Sequence, residues 1–237
     1  MTDWPASCRP SVWRLAGTRR TGGGGLPFAN WGGILPLAMR LGLLGPAHGD
    51  LAVLTSAAGF LLREVAIDRA IYLGLDGALD DVVVAWAASL VGGDPREEAI
   101  WKRAQRCLQA APSEIDEHLA RERERRGLRV FEALPGPDAR VIELLNGQVA
   151  VLIHDADDLD EEDMLPAAFL VFGASEDPLV KVVGTRWFLS PGSLDTCGVM
   201  VLEDLEDGVH LRLFDNTCRL VRTERLLSDR KARLSIR

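Results

Sequence analysis

Residues 172–194 read FGASEDPLVKVVGTRWFLSPGSL. An apolar strand end runs into a small, acidic corner, Gly173 to Asp177. Two strand-like runs, PLVKVV and TRWFL, then flank Gly184, which is the pattern of a hairpin. Pro191-Gly192-Ser193 closes the stretch. Proline fixes its own φ and restricts its neighbour, and glycine reaches backbone conformations closed to other residues. The stretch therefore predicts a strand, a loop, a hairpin and a tightly specified turn, in that order.

Working outward, the chain after Gly127 is mostly strand. RVFEAL, RVIELL, QVAVLIH, AAFLVFG, GVMVLEDL and HLRLF are short, rich in Val and Leu, and punctuated by Gly, Pro or Asp-Asn. Before Gly127 strands and helices alternate. RLGLL and RAIYLG read as strands, while LAVLTSAAGFLLREV has helical spacing with Asp50 placed as its N-cap. LDDVVVAWAASL reads as a helix with an apolar face, and residues 96–126 as helical with a break at Pro112. EIDEHLARERERR mixes opposite charges at i,i+4, as a solvated helix face does. Alternating β and α followed by consecutive hairpins predicts a layered α/β (α+β) domain of two sheets.

The 237 residues suit one domain, or one domain with a tail, and 47% hydrophobic content suffices for a core. A net charge of -8 opposes nucleic-acid binding, because phosphate backbones would be repelled. Cys8, Cys107, Cys197 and Cys218 show no CxxC spacing, which fits a reducing compartment and gives no zinc motif. No run of about 18 apolar residues predicts a membrane span. Residues 1–38, rich in Gly, Pro and Arg, read as a flexible tail, with the domain spanning 39–237. Trp4, Trp13 and Trp31 are unusual in such a tail, and translation from Met39 is the alternative. Arg19-Arg20 ahead of an apolar stretch superficially matches an export signal. Arg40 interrupts that stretch and Gly22 to Gly25 is a spacer, so a cytoplasmic location is expected.

Five short loops punctuate the pattern: GPAHGD (45–50), GLDG (74–77), VGGDP (91–95), HDADD (154–158) and GASE (173–176). Four follow expected strands, at the carboxyl ends where α/β proteins place ligands; VGGDP follows the second helix. MRLGLLGPAHGDLAVL resembles the opening of the calcineurin-like metallophosphoesterases, which read Met-Arg-Ile, an apolar strand, Ser-Asp-Thr-His-Gly-Asp/Asn and a helix. AIDRAIYLG is similar to their second strand, ending in Gly-Asp, and LIHD to the strand ending in His-Gly. Residues 172–194 are similar to Phe-Gly-His-Thr-His, a hairpin and Asn-Pro-Gly-Ser. The resemblance covers residues 39 to about 225. It implies two stacked mixed β-sheets flanked by helices, with the Pro-Gly-Ser turn as a structural element behind the metal site.

The same resemblance implies a depleted site. The family's dinuclear centre needs carboxylates, an amide oxygen and several imidazoles around two cations. Its first Asp falls on Pro46 and its bridging Asp on Leu75, beside Asp76. Its Asn falls on Gly93 and the leaving-group His on Asp94. Its last two His fall on Ala174 and Glu176. His48 and His154 are kept. Read from the residues alone, His48 is a turn residue bonded to backbone and His154 a satisfied strand-end histidine. His118 and His210 match no ligand and read as surface residues. Asp76, Asp94 and Glu176 make an acidic set for Mg or Ca, or are simply solvated.

The acidic run from His154 to Asp163 fails as an EF-hand, with Asp160 where Gly is required and Pro166 where Glu is required, and reads as a solvated loop or a contact for a basic partner. No GxSxG, P-loop or HExxH occurs. The expectation is a metallophosphoesterase-like protein without its di-metal site, acting as a non-catalytic binding or scaffold protein with a protein partner and no cofactor. The alternative is a working phosphodiesterase or phosphatase with a rebuilt, mononuclear site on His48, Asp76, Asp94, His154 and Glu176, loaded with Mn, Fe or Zn; a ligand sensor is the third reading.

Overall fold

A computed structural model describes residues 39–91, 104–105, 107–108 and 110–226. The N-terminal segment 1–38 lies outside them, as do Gly93 and Asp94. Strand β1 (Arg40–Leu44) leads through helix α1 (Leu51–Phe60) to β2 (Arg69–Tyr72), which pairs with β1 in parallel. Helices α2 (Ala78–Val91) and α3 (Pro112–Gly127) carry the chain to β3 (Phe131–Ala133), parallel to β2. After β3 the regular elements are strands apart from a 3-10 turn and one turn of α-helix, α4 (Glu161–Met164). The strands are β4 (Val141–Leu145), β5 (Gln148–Ile153), β6 (Ala167–Phe172), β7 (Leu179–Val183), β8 (Arg186–Ser190), β9 (Val199–Leu205), β10 (Gly208–Phe214) and β11 (Leu220–Leu226).

They form two mixed sheets, one in the order β11-β10-β9-β1-β2-β3 and the other β4-β5-β6-β8-β7. Period-2 alternation explains the stacking. Leu41, Leu43, Ile71 and Leu73 point one way and pack on Ala150, Leu152, Phe169 and Val171 of the second sheet. Leu44, Ala70 and Tyr72 point the other way, against Leu54, Ala58 and Leu61 of the α1 segment and Leu79 and Val82 of α2. A third cluster, Val151, Ile153, Leu170 and Phe172, lies on the far side of the second sheet beneath Met164 of α4. The layers run helix, sheet, sheet, short helix. Burial on both faces is why β1 and β2 show no polar alternation in sequence.

The expected helix over residues 51–65 is interrupted. The α-helical part ends at Phe60, Leu61–Val65 is a π-turn, and Ala66 closes it at φ 54°. Asp50 caps α1, its carboxylate accepting from the amides of Ala52 (3.0 Å) and Val53 (3.1 Å). The expected break at Pro112 is present: residues 104–105 and 107–108 are helical, 110–111 are not, and Pro112 starts α3, where Glu114 accepts from the Ala111 amide at 2.8 Å. No residue of α3 is buried, and its charges pair along the helix as Glu117–Arg121 and Glu122–Arg125. The acidic run is more ordered than a solvated loop. Asp155 caps a 3-10 turn (Ala156–Asp158), Asp160 caps α4, and Asp163 pairs with Arg140 at 3.1 Å. Strand β11 was not expected from sequence. It is an edge strand with mostly exposed side chains, so no apolar alternation marks it. Among the described residues no helix is long and apolar enough to cross a membrane.

Candidate functional site

The loops after β1, β2, β5 and β6 gather at one end of the two sheets and line a cleft of about 470 Å³. Its walls are Pro46, His48, Gly74, Leu75, Asp76, His154, Ala174, Ser175 and Glu176. His48, Asp76, His154 and Glu176, four of the five residues singled out from sequence, therefore share one cleft, and Asp94 lies outside the described residues.

Backbone contacts shape this cleft. Gly45 follows β1 and donates to the Gly198 carbonyl at 2.8 Å, while Leu194 donates to the Pro46 carbonyl at 3.0 Å. The first loop is thus laced to the Pro191-Gly192-Ser193 turn. The approach is so close that a Cβ on Gly45 would lie 1.7 Å from the Gly192 carbonyl oxygen. Gly192 sits at φ +75°, and its own Cβ would lie 2.7 Å from the Pro178 nitrogen. Ser193 donates its amide to the Glu176 carbonyl at 3.0 Å, and the Thr196 hydroxyl reaches the same carbonyl at 3.0 Å. The turn therefore clamps the first loop and the Gly173–Asp177 corner together, which is its structural role.

The side chains have particular states. His154 Nδ1 lies 2.7 Å from the Leu73 carbonyl. A carbonyl only accepts, so Nδ1 carries the proton and, in the neutral ring, Nε2 carries the lone pair. This bond joins the ends of β2 and β5, one from each sheet. His154 thus has the backbone partner expected of a satisfied strand-end histidine and one uncommitted nitrogen. His48 sits at φ 49° in the Ala47–Asp50 turn, a left-handed conformation that histidine tolerates better than most residues. Among the described residues its ring has no hydrogen bond, and neither has the exposed carboxylate of Glu176. His118 is half-buried on α3 and His210 pairs with Asp207 at 2.9 Å, both away from the cleft.

Asp76 is committed. Its Oδ1 accepts from the Tyr72 hydroxyl at 2.9 Å and from the Ala78 amide, at the start of α2, at 3.1 Å. Sequence reasoning missed Tyr72. Its ring is fully buried, and its hydroxyl also accepts from the Ala47 amide at 2.9 Å, so it ties the first loop to the second. Burial pushes the phenol well above its usual range; the Ala47 bond works against this, and the Asp76 hydrogen bond and charge add to it. A tyrosine at the end of an apolar strand, four residues before an acid, was the one available signal.

Among the described residues the donor set does not fit a dinuclear metal centre. Pro46, Leu75 and Ala174 bring no ligand atom to the cleft, and one oxygen of Asp76 is already taken twice. Among the described residues no three His, Cys, Asp or Glu side chains group closely enough to hold a metal ion.

No protein-family model matches the chain, and no curated protein matches it. Among solved structures it is similar to a predicted phosphoesterase from Streptococcus pneumoniae, at 13% identity over 79% of this chain and 96% of that one, with a TM-score of 0.46. It is also similar to a Vps29 single mutant from Entamoeba histolytica, at 15% identity over 79% and 98% of the two chains, TM-score 0.46. An archaeal phosphodiesterase is similar at 10% identity over 74% and 100%, TM-score 0.45. The two stacked mixed sheets and their flanking helices are the architecture expected from the sequence.

Proposed function

We propose that this chain is a metallophosphoesterase-fold protein that has lost its di-metal site and acts in the cytoplasm as a non-catalytic binding or scaffold protein for another protein. One observation carries the reading: Pro46, Leu75 and Ala174 line the same cleft as His48 and His154, so apolar groups stand among the surviving imidazoles. Metal affinity falls steeply with each ligand lost, and two cations held close together need an anion between them. Leu75 supplies none. The acids that remain, Asp76 and Glu176, bring negative charge without a lysine or arginine among the lining groups, which disfavours a phosphate diester as ligand.

The second reading, a mononuclear phosphodiesterase, is favoured by the His154 tautomer, since an imidazole whose Nδ1 donates to a backbone carbonyl offers Nε2 as a ligand atom. Elemental analysis after loading with manganese, iron or zinc separates the two, together with hydrolysis of bis-(p-nitrophenyl) phosphate. The scaffold reading expects less than stoichiometric metal and no turnover above a metal-only control. One tightly bound ion per chain, with turnover abolished by His154→Ala, would replace it with the second reading.

A further inference from the structure

Strand β4 is an edge of the second sheet, and among the described residues nothing guards it as the other edges are guarded. Sheet edges are usually protected by charge, by shortness or by a cover, because their free amides and carbonyls template pairing with another chain. Strand β7, the opposite edge, carries Lys181. Strand β11 carries Arg222, Glu224 and Arg225, and β3 has only three residues. Strand β4 reads Val-Ile-Glu-Leu-Leu, and its one charge, Glu143, is turned inward, buried and held by Arg69. Its outward side chains are Ile142, 64% exposed, and Leu144, 62% exposed. They continue an apolar row across β5, with Ile142 opposite Val151 and Leu144 opposite Val149.

The hydrogen-bond pattern fixes which backbone groups are free. Asn146 and Gly147, both at positive φ, make a two-residue turn, and Leu145 pairs with Gln148 at its base. Bonds alternate along an antiparallel strand, so residues 141, 143 and 145 spend their amides and carbonyls on β5. Those of Ile142 and Leu144 point away from the sheet. No hydrogen bond among the described residues reaches them.

We propose that β4 pairs antiparallel with β4 of a second copy of this chain, giving a two-fold dimer whose second sheets join into one. Register selects this occupant. With the two-fold axis at Glu143, Ile142 lies opposite the partner's Leu144, and every free amide and carbonyl of both strands is used, about four bonds. The same register sets Val141 opposite the partner's Leu145, so apolar side chains meet on both faces. The sequence from Val141 to Leu145 is a near palindrome in size and polarity, which a two-fold contact requires and a foreign strand does not. The one unfavourable contact, Glu143 against the partner's Glu143, is eased because each carboxylate pairs with Arg69, a guanidinium it shares with Glu132.

Molar mass measured by sedimentation equilibrium across a concentration series tests this on the full chain. Wild type is expected at twice the chain mass. Ile142→Lys with Leu144→Lys places like charges opposite one another and is expected to raise the dimer dissociation constant at least about tenfold. Both side chains are exposed, so circular dichroism should show the fold unchanged. Val182→Lys on β7 is expected to leave the dimer intact. A monomer at every concentration overturns the proposal, as does a dimer that survives both lysines or one that Val182→Lys abolishes.

Discussion

Substituting Gly45 by alanine tests whether the cleft is built as described. The added Cβ would lie 1.7 Å from the Gly192 oxygen and 2.9 Å from its carbonyl carbon. The shortest ordinary carbon–oxygen contact is about 3.3 Å, so the two backbones must part by roughly 1.6 Å. Neither side is a flexible side chain that can swing away. Parting them stretches two bonds, Gly45 to Gly198 and Leu194 to Pro46. Each is worth about 1 kcal/mol, and overpacking a buried site costs about 1–3 kcal/mol more. The sum is about 3–5 kcal/mol, or a fall of about 6–20 °C in Tm for a domain of this size. Differential scanning calorimetry reads it. Gly59→Ala in α1 is the control: its Cβ meets nothing within 4 Å, and a helix-interior glycine replaced by alanine should add about 0.5–1 kcal/mol. If Gly45→Ala melts within about 2 °C of wild type, the first loop does not rest on the 191–193 turn. The clamped cleft then does not exist.

Tyr72 is the chain's one tyrosine, so tyrosinate absorbance at about 295 nm reports this group alone. Its folded pKa is raised, so the stabilisation it brings is full below the unfolded value near 10 and is lost as pH rises above it. The folded protein should show no tyrosinate midpoint near pH 10, its stability should fall above that pH, and Tyr72→Phe should flatten the fall; a midpoint near 10 without unfolding counts against the buried Tyr72–Asp76–Ala47 link. Asp50→Ala removes both cap bonds of α1 and should lower the urea-unfolding free energy by about 1 kcal/mol, whereas an unchanged midpoint would mean that the cap is not made in solution.

Much of the architecture was legible because it is written in local signals. Strand lengths, the turn glycines and the Asp50 cap each depend on residues a few positions apart. Strand β11 was not, since its exposed side chains follow no apolar period and only its pairing with β10 makes it a strand. The helix in the acidic run escaped notice because it is a single turn, held by its cap and by Arg140 from a different strand boundary. In the cleft, sequence located the loops but not the commitments of their side chains. Asp76 reads as a free acid at a loop tip. Its engagement depends on Tyr72 and on where α2 begins, and Tyr72 in turn is engaged by the Ala47 amide, 25 residues away in sequence.

The way the cleft is held leaves its lining free to vary without loss of shape. The Gly45–Gly198, Pro46–Leu194 and Glu176–Ser193 bonds, and those from Gly173 and Ala174 to the His154 carbonyl, are all main chain to main chain. Main-chain bonds do not depend on side-chain identity except where a proline removes a donor or a Cβ cannot fit. Pro46 enters this set as an acceptor, so it costs no bond, and Ala174 enters through its amide, which any residue but proline supplies. Leu75 points into the cleft opening at 38% exposure and takes no part. The three positions that lack a ligand atom are thus positions where these hydrogen bonds ask nothing of the side chain. Gly45 and Gly192 are the reverse, bringing no chemistry to the cleft and tolerating no substitution. A mutational scan of the loops should therefore separate them by stability alone, with residues 46, 75 and 174 permissive and residues 45 and 192 not.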